Sequence, residues 1–113
     1  MINDALKARF DKEISENPIV IYMKGNPLFP QCGFSAKTVE LLQPLGKLFT
    51  VNVLAEPDVR DGIKAYSNWP TIPQVYIRGK FVGGCDIVTE LAERGELEAL
   101  VNPTQTAPNL TQG

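Results

Sequence analysis

The sequence predicts an α/β protein in which a small mixed four-stranded sheet carries helices on both faces. Three observations carry that expectation. The run Ile19-Val20-Ile21-Tyr22-Met23 is apolar throughout and rich in β-branched residues, which is how a strand buried on both faces reads. A helical pattern separates it from a second strand pattern, and such a β-α-β unit implies parallel strands with a right-handed crossover. Two further strand patterns meet at Arg78-Gly79, the composition of a tight hairpin that adds an antiparallel strand.

Taken in order, Ile2, Leu6, Phe10 and Ile14 recur at helical spacing, so a first amphipathic helix is expected over about residues 2–16. Asn17-Pro18 ends it, because a residue before proline is pushed out of the α region. Lys24 to Gln31 reads as a loop, with Gly25, Pro27 and Pro30 in it. Phe34, Thr38, Leu41, Leu42 and Leu45 give a second helix ending near Pro44-Leu45-Gly46, and Phe49 to Val53 a second strand. Pro57 to Tyr66 is a third helix with Val59, Ile63 and Tyr66 on one face and Pro57 in its first turn. Gln74 to Ile77 and Lys80 to Val82 are the hairpin strands, and Gly83-Gly84 breaks the second of them. Asp86 is expected to cap a helix carrying Ile87, Val88 and Leu91. Gly95 ends or kinks that helix, and Glu96 to Val101 adds a last turn or two.

One domain accounts for the 113 residues, and 43% hydrophobic with 21% charged residues is a globular composition. From Asn102 the chain is Pro, Thr, Gln and Asn, too polar to bury a core, so 102–113 is expected to be a disordered tail. Eleven basic against thirteen acidic residues disfavour nucleic acid and anionic lipid as partners. No apolar run approaches the ~18 residues of a membrane span, and Met1 to Glu13 lacks the apolar core of a secretory signal. A cytoplasmic protein is expected.

The chain has no histidine, which removes imidazole metal ligands, a Ser-His-Asp triad and a Cys-His pair. Two cysteines, Cys32 and Cys85, point in a reducing compartment to catalysis or metal binding before a disulfide framework. Cys32 follows a buried strand and a proline-rich loop and opens a helix, where free N–H groups favour the thiolate, with Lys24 as a second source of positive potential. The plainer alternative is a buried thiol acting as a small apolar residue. In Cys32-Gly33-Phe34-Ser35 a serine stands where a Cys-x-x-Cys motif has its second thiol. No local disulfide forms there, so the chemistry is that of one thiol acting with an external one. The Ser35 hydroxyl either bonds the Cys32 sulfur or simply occupies the first turn, and Phe34 is either core or part of an exposed rim.

Lys24, Cys32-Gly33-Phe34-Ser35, Trp69-Pro70-Thr71-Ile72-Pro73 and Gly83-Gly84-Cys85-Asp86, in that order, resemble the monothiol glutaredoxins of the CGFS type in their single-domain bacterial form. The resemblance covers residues from about 2 to 101, and each motif alone would be weak where the set is specific. It implies a thioredoxin-like fold over residues 1–101, glutathione binding, and a [2Fe–2S] cluster bridged between two chains. It further implies a homodimer when the cluster is bound, and BolA-like proteins and apo iron–sulfur proteins as partners. Deglutathionylation activity in the family is weak.

Carried onto this chain, the resemblance makes Cys32 both the reactive thiol and the cluster ligand. Lys24 pairs with the glycine carboxylate of glutathione, with Arg60 assisting from the third helix. Thr71-Ile72-Pro73 is the loop with a cis proline whose Ile72 backbone meets an extended peptide. Cys85 and Asp86 open a helix whose N–H groups suit the γ-glutamyl carboxylate, with Asp86 for the amine. Each position also has a plain structural reading: solvated Lys24 and Arg60, a trans turn at Pro73, Gly83-Gly84 as a strand terminator, Asp86 as a cap only, and a packing role for the Cys85 thiol. A ligand count is consistent with the cluster. Such centres take four thiolates, or two with two histidines. Without histidine, one exposed cysteine per chain of a dimer leaves two places for Cys85 or for small thiols such as glutathione. Three functions stand side by side: a cluster carrier or assembly factor, a glutathione-dependent thiol–disulfide oxidoreductase, and an adaptor acting through the surface around Cys32. The seven residues between Lys24 and Cys32 form a longer loop than the dithiol enzymes carry, which favours ligation over turnover.

Overall fold

The structure, a computed structural model, describes residues 2–103. Among them the elements run α1 (Asp4–Glu16), β1 (Ile19–Met23), α2 (Gly33–Leu42), β2 (Phe49–Asn52), α3 (Pro57–Ser67), β3 (Gln74–Ile77), β4 (Lys80–Gly83), α4 (Cys85–Glu93) and α5 (Leu97–Val101). The strands form one sheet in the order β2-β1-β3-β4, with β2 parallel to β1 and the β3–β4 hairpin antiparallel. This is the mixed four-stranded sheet expected from the sequence. Arg78 and Gly79 both take positive φ, 53° and 83°, the backbone that a two-residue hairpin needs to match strand twist.

Alternation along β1 distributes the core. Val20 and Tyr22 face α1 and α3, packing with Phe10, Ile14, Val59 and Ile63. Ile19, Ile21 and Met23 face the other way, toward Val39 and Leu42 of α2, Val88 of α4, and Leu97 and Val101 of α5. Every residue of β1 is buried, as a central strand covered on both sides requires.

Several boundaries differ from the sequence reading: β2 ends at Asn52, α3 runs on to Ser67 and β4 to Gly83. The first helix starts at Asp4, because the Asn3 side chain accepts the Leu6 N–H at 2.8 Å and caps it. The second stops at Leu42 and continues as a 3₁₀ turn, Gln43–Leu45, since Pro44 has no N–H to extend the α ladder. Asp86 does not cap α4. The cap is Gly84, whose carbonyl accepts the Val88 N–H at 3.1 Å, and Asp86 lies inside the first turn. Of the expected tail 102–113, residues 104–113 lie outside the described residues. No helix among the described residues is long and apolar enough to cross a membrane.

The strand directions position the site. β1 leaves the sheet at the end where β3 enters and β4 leaves, with Tyr22 opposite Gln74 and Val75 opposite Gly83. The segments 24–32, 68–73 and 83–86 therefore converge at one end of the sheet.

Candidate functional site

Cys32 is the N-cap of α2, extended at φ −158°, with its carbonyl accepting the Ala36 N–H at 3.0 Å. Its thiol is free and half-buried. Burial works against ionisation, yet the Ser35 N–H and hydroxyl, the Phe34 N–H and the Lys24 charge together outweigh it and hold the thiol below its ordinary value. The sulfur itself caps no helix N–H with a hydrogen bond of standard geometry, so its stabilisation is spread over several donors. Ser35 is fully buried, and its oxygen accepts the Lys24 N–H at 3.1 Å. Ser35 stands in the first turn of α2, where its N–H and hydroxyl both act to lower the Cys32 thiol.

The loop before Cys32 closes on itself. The Gln31 N–H donates to the Lys24 carbonyl at 2.8 Å, and Gly25 bridges to Pro30. Gly25 has φ +88°, and a Cβ there would lie 2.4 Å from the Phe29 carbonyl, so the turn needs glycine. Asn26 Oδ1 accepts the Leu28 and Phe29 N–H groups, and Asn52 Oδ1 accepts that of Gly25. This scaffold leaves Leu28, Phe29 and Phe34 exposed at 83%, 69% and 63% on either side of the cysteine. Phe34 thus belongs to an exposed rim.

Beside Cys32 lies a cleft of about 580 Å³. Arg60 and Lys64 line it from α3, and Thr71, Ile72 and Pro73 from the segment entering β3. Cys85 and Asp86 line it at the start of α4, and Lys24 from the end of β1. The Ile72–Pro73 peptide is cis, as the sequence motif led us to expect. None of the backbone bonds outside the regular elements involves the Ile72 N–H or carbonyl. Seven of the eight residues singled out in the sequence border this space; the eighth, Cys32, is not among its lining residues and lies two residues before the lining Phe34 in the chain. Arg60 is half-buried and also contacts Asp61, with 3.4 Å between Nε and Oδ1. The Cys85 sulfur lies 3.9 Å from the Thr89 hydroxyl of its own helix.

Two contributors were not singled out in the sequence. Lys64 lies one helical turn beyond Arg60 and lines the same wall; the i, i+4 spacing from Arg60 was the available signal. Gln74 is fully buried, and its amide donates to the Trp69 carbonyl at 3.0 Å and the Thr71 carbonyl at 3.3 Å, fixing the loop that forms the cleft edge. Gly84 borders the cleft as well. A Cβ there would sit 3.1 Å from the Pro73 carbonyl and 3.6 Å from the Trp69 indole nitrogen, which is buried and has no hydrogen-bond partner.

Chemically, the cleft offers three cations and a helix N-terminus for carboxylates, a carboxylate for an amine, unpaired backbone for an extended chain and an ionisable thiol alongside. Among the described residues no group of three or more His, Cys, Asp or Glu is placed to hold a metal ion.

Comparison with known proteins finds similar chains over most of this one. The glutaredoxin family matches residues 19–82. An uncharacterized monothiol glutaredoxin of Synechocystis is 52% identical over 101 residues, covering 88% of this chain and 94% of that one. Reduced apo GrxS14 of poplar superposes with a TM-score of 0.77 at 44% identity, over 90% of this chain and 94% of the other. Buckwheat glutaredoxin in complex with glutathione superposes with 0.76 at 25% identity, over 91% and 96%.

Proposed function

The chain belongs to the glutaredoxin family, in its monothiol, bacterial-type branch, and from that premise we propose that it binds glutathione in the cleft and carries a [2Fe–2S] cluster between two chains for assembly or transfer. The observation that carries this reading is one ionisable thiol, with Ser35 in place of a second, near a cleft lined by Lys24, Arg60 and Lys64 and by Cys85 and Asp86 at the start of α4. Lys24, Arg60 and Lys64 take the glycine carboxylate. The Ile72 backbone, beside Thr71 and Pro73, pairs with the cysteinyl unit. The first N–H groups of α4, at Cys85 and Asp86, take the γ-glutamyl carboxylate, and the Asp86 side chain takes the amine.

The donor set supports the cluster as cargo. With no histidine in the chain, two Cys32 thiolates and two glutathione thiolates complete the four places. Two of the four ligands then exchange freely, which suits release to an acceptor. The exposed Leu28, Phe29 and Phe34 shield the sulfurs from water in the homodimer and offer a surface for BolA-like or apo iron–sulfur proteins. We assign the domain to residues 1–101 and the protein to the cytoplasm, where thiols stay reduced.

The lowered Cys32 value supports a second activity, deglutathionylation. The Cys32 thiolate attacks the glutathione sulfur of a mixed disulfide, releasing the substrate thiolate. A second glutathione thiolate then attacks the Cys32-bound glutathione, freeing Cys32 and leaving glutathione disulfide.

Anaerobic reconstitution with iron and sulfide, with and without glutathione, tests the carrier reading on the wild type, Cys32→Ser and Cys85→Ser. A brown dimer that requires glutathione and Cys32 but not Cys85 is expected. No cluster under any condition, with rapid reduction of glutathione mixed disulfides, would move the protein to the oxidoreductases.

A further inference from the structure

Two of the three cations proposed to hold the glycine carboxylate come from different elements, Lys24 from the end of β1 and Arg60 from α3. A side-chain chain on the far side of these elements joins them through α1. The Tyr22 hydroxyl, two residues before Lys24, donates to Glu13 Oε1 at 2.7 Å. Arg9 Nε donates to the other oxygen of Glu13 at 2.8 Å. The remaining nitrogens of Arg9 reach Glu56 in a fork, 2.9 Å to Oε1 and 3.2 Å to Oε2. Glu56 is the N-cap residue of α3, and its carbonyl accepts the Val59 and Arg60 N–H groups at 3.0 Å.

We propose that Tyr22, Glu13, Arg9 and Glu56 form a positioning device that sets β1 against the start of α3, and so sets the spacing of Lys24 and Arg60 across the cleft. The geometry favours a device over a casual surface pair. The Glu56 contact is bidentate, which fixes direction as well as distance. Glu13 is largely buried, with 15% of its side chain exposed, and both its oxygens are used. Hydrogen bonding to Arg9, the main cause, holds Glu56 below the usual carboxylate value, so the pair is charged at neutral pH. None of the four residues borders the cleft. They act through Lys24 and Arg60, and the inference rests on the glutathione reading above.

The test titrates reduced glutathione and its glycine monoethyl ester into the apo protein under reducing conditions, followed by amide NMR, for wild type, Arg9→Met, Glu56→Gln and Arg9→Lys. The ester lacks the carboxylate that Lys24 and Arg60 would hold. Arg9→Met and Glu56→Gln should weaken glutathione about three- to tenfold, within the range for residues coupled in one network, and leave the ester unchanged. Arg9→Lys, which keeps the charge and loses the fork, should fall between. Equal weakening of both ligands, or unchanged glutathione binding in Arg9→Met and Glu56→Gln, overturns the proposal. A wild type that shows no shifts near the cleft with either ligand overturns the glutathione reading and the device with it.

Discussion

The buried oxygen of Ser35 accepts the backbone N–H of Lys24 at 3.1 Å, and the same residue helps hold the Cys32 thiol below its ordinary value. A residue standing where a dithiol enzyme has its second cysteine thus ties the end of β1 to the first turn of α2. Ser35→Ala should cost about 1–3 kcal/mol, because it leaves a part-buried N–H unpaired. It should also raise the thiol toward its ordinary value of about 8.5. In the wild type the folded value is depressed. Ionisation of Cys32 therefore contributes stability that is full above the ordinary value and is lost as pH falls through the folded one. The rate of Cys32 alkylation against pH should reach half-maximum below the ordinary value in wild type and move upward in Ser35→Ala.

The paired glycines after β4 should separate stability from binding. Gly83 has φ +142°, and a Cβ there would sit 2.8 Å from the Ile87 side chain. Gly83→Ala should destabilise by about 1–3 kcal/mol, the cost of an L side chain in a strained region. At Gly84 φ is negative, and the added methyl meets the Pro73 carbonyl at 3.1 Å on the cleft border. Gly84→Ala should lower glutathione affinity with a smaller loss of stability. Thermal unfolding and ligand titration of the two variants check the separation.

Lys64 is expected to act with Lys24 and Arg60. Replacing any one of the three by methionine should weaken glutathione about three- to tenfold, at the low end for charge-assisted hydrogen bonds because the site is open to solvent. Calorimetric titration of Lys64→Met is the sharpest check, since wild-type affinity there would reduce the α3 wall to Arg60.

Gln74→Leu should lower stability by about 1–3 kcal/mol, because the Trp69 and Thr71 carbonyls lose their shared donor. The single tryptophan, Trp69, reports on the same loop. A drop in the urea midpoint with altered tryptophan emission is expected.

How much of this was legible in the sequence follows from which interactions are local. The strands, the hairpin turn at Arg78-Gly79 and the helix opening at Cys32 were readable, because periodicity and turn chemistry act within a few residues. The site segments were readable as motifs, and their convergence follows from strand direction. The capping role given to Asp86 failed because the preceding glycines let the backbone enter α4 two residues earlier, at Gly84. Gln74 looked like an ordinary strand residue, and its role appears only when the chain brings the Trp69 and Thr71 carbonyls to it. The link from Arg9 to Glu56 spans 47 residues, and no local pattern announces it.

The central claim is that one Cys32 and one glutathione from each of two chains hold the cluster. Native mass spectrometry of the anaerobically reconstituted protein measures this composition directly. The account predicts a species of two chains, two irons, two sulfides and two glutathiones, absent in Cys32→Ser and retained in Cys85→Ser. A cluster-bearing dimer without glutathione, or one that disappears in Cys85→Ser, would contradict it.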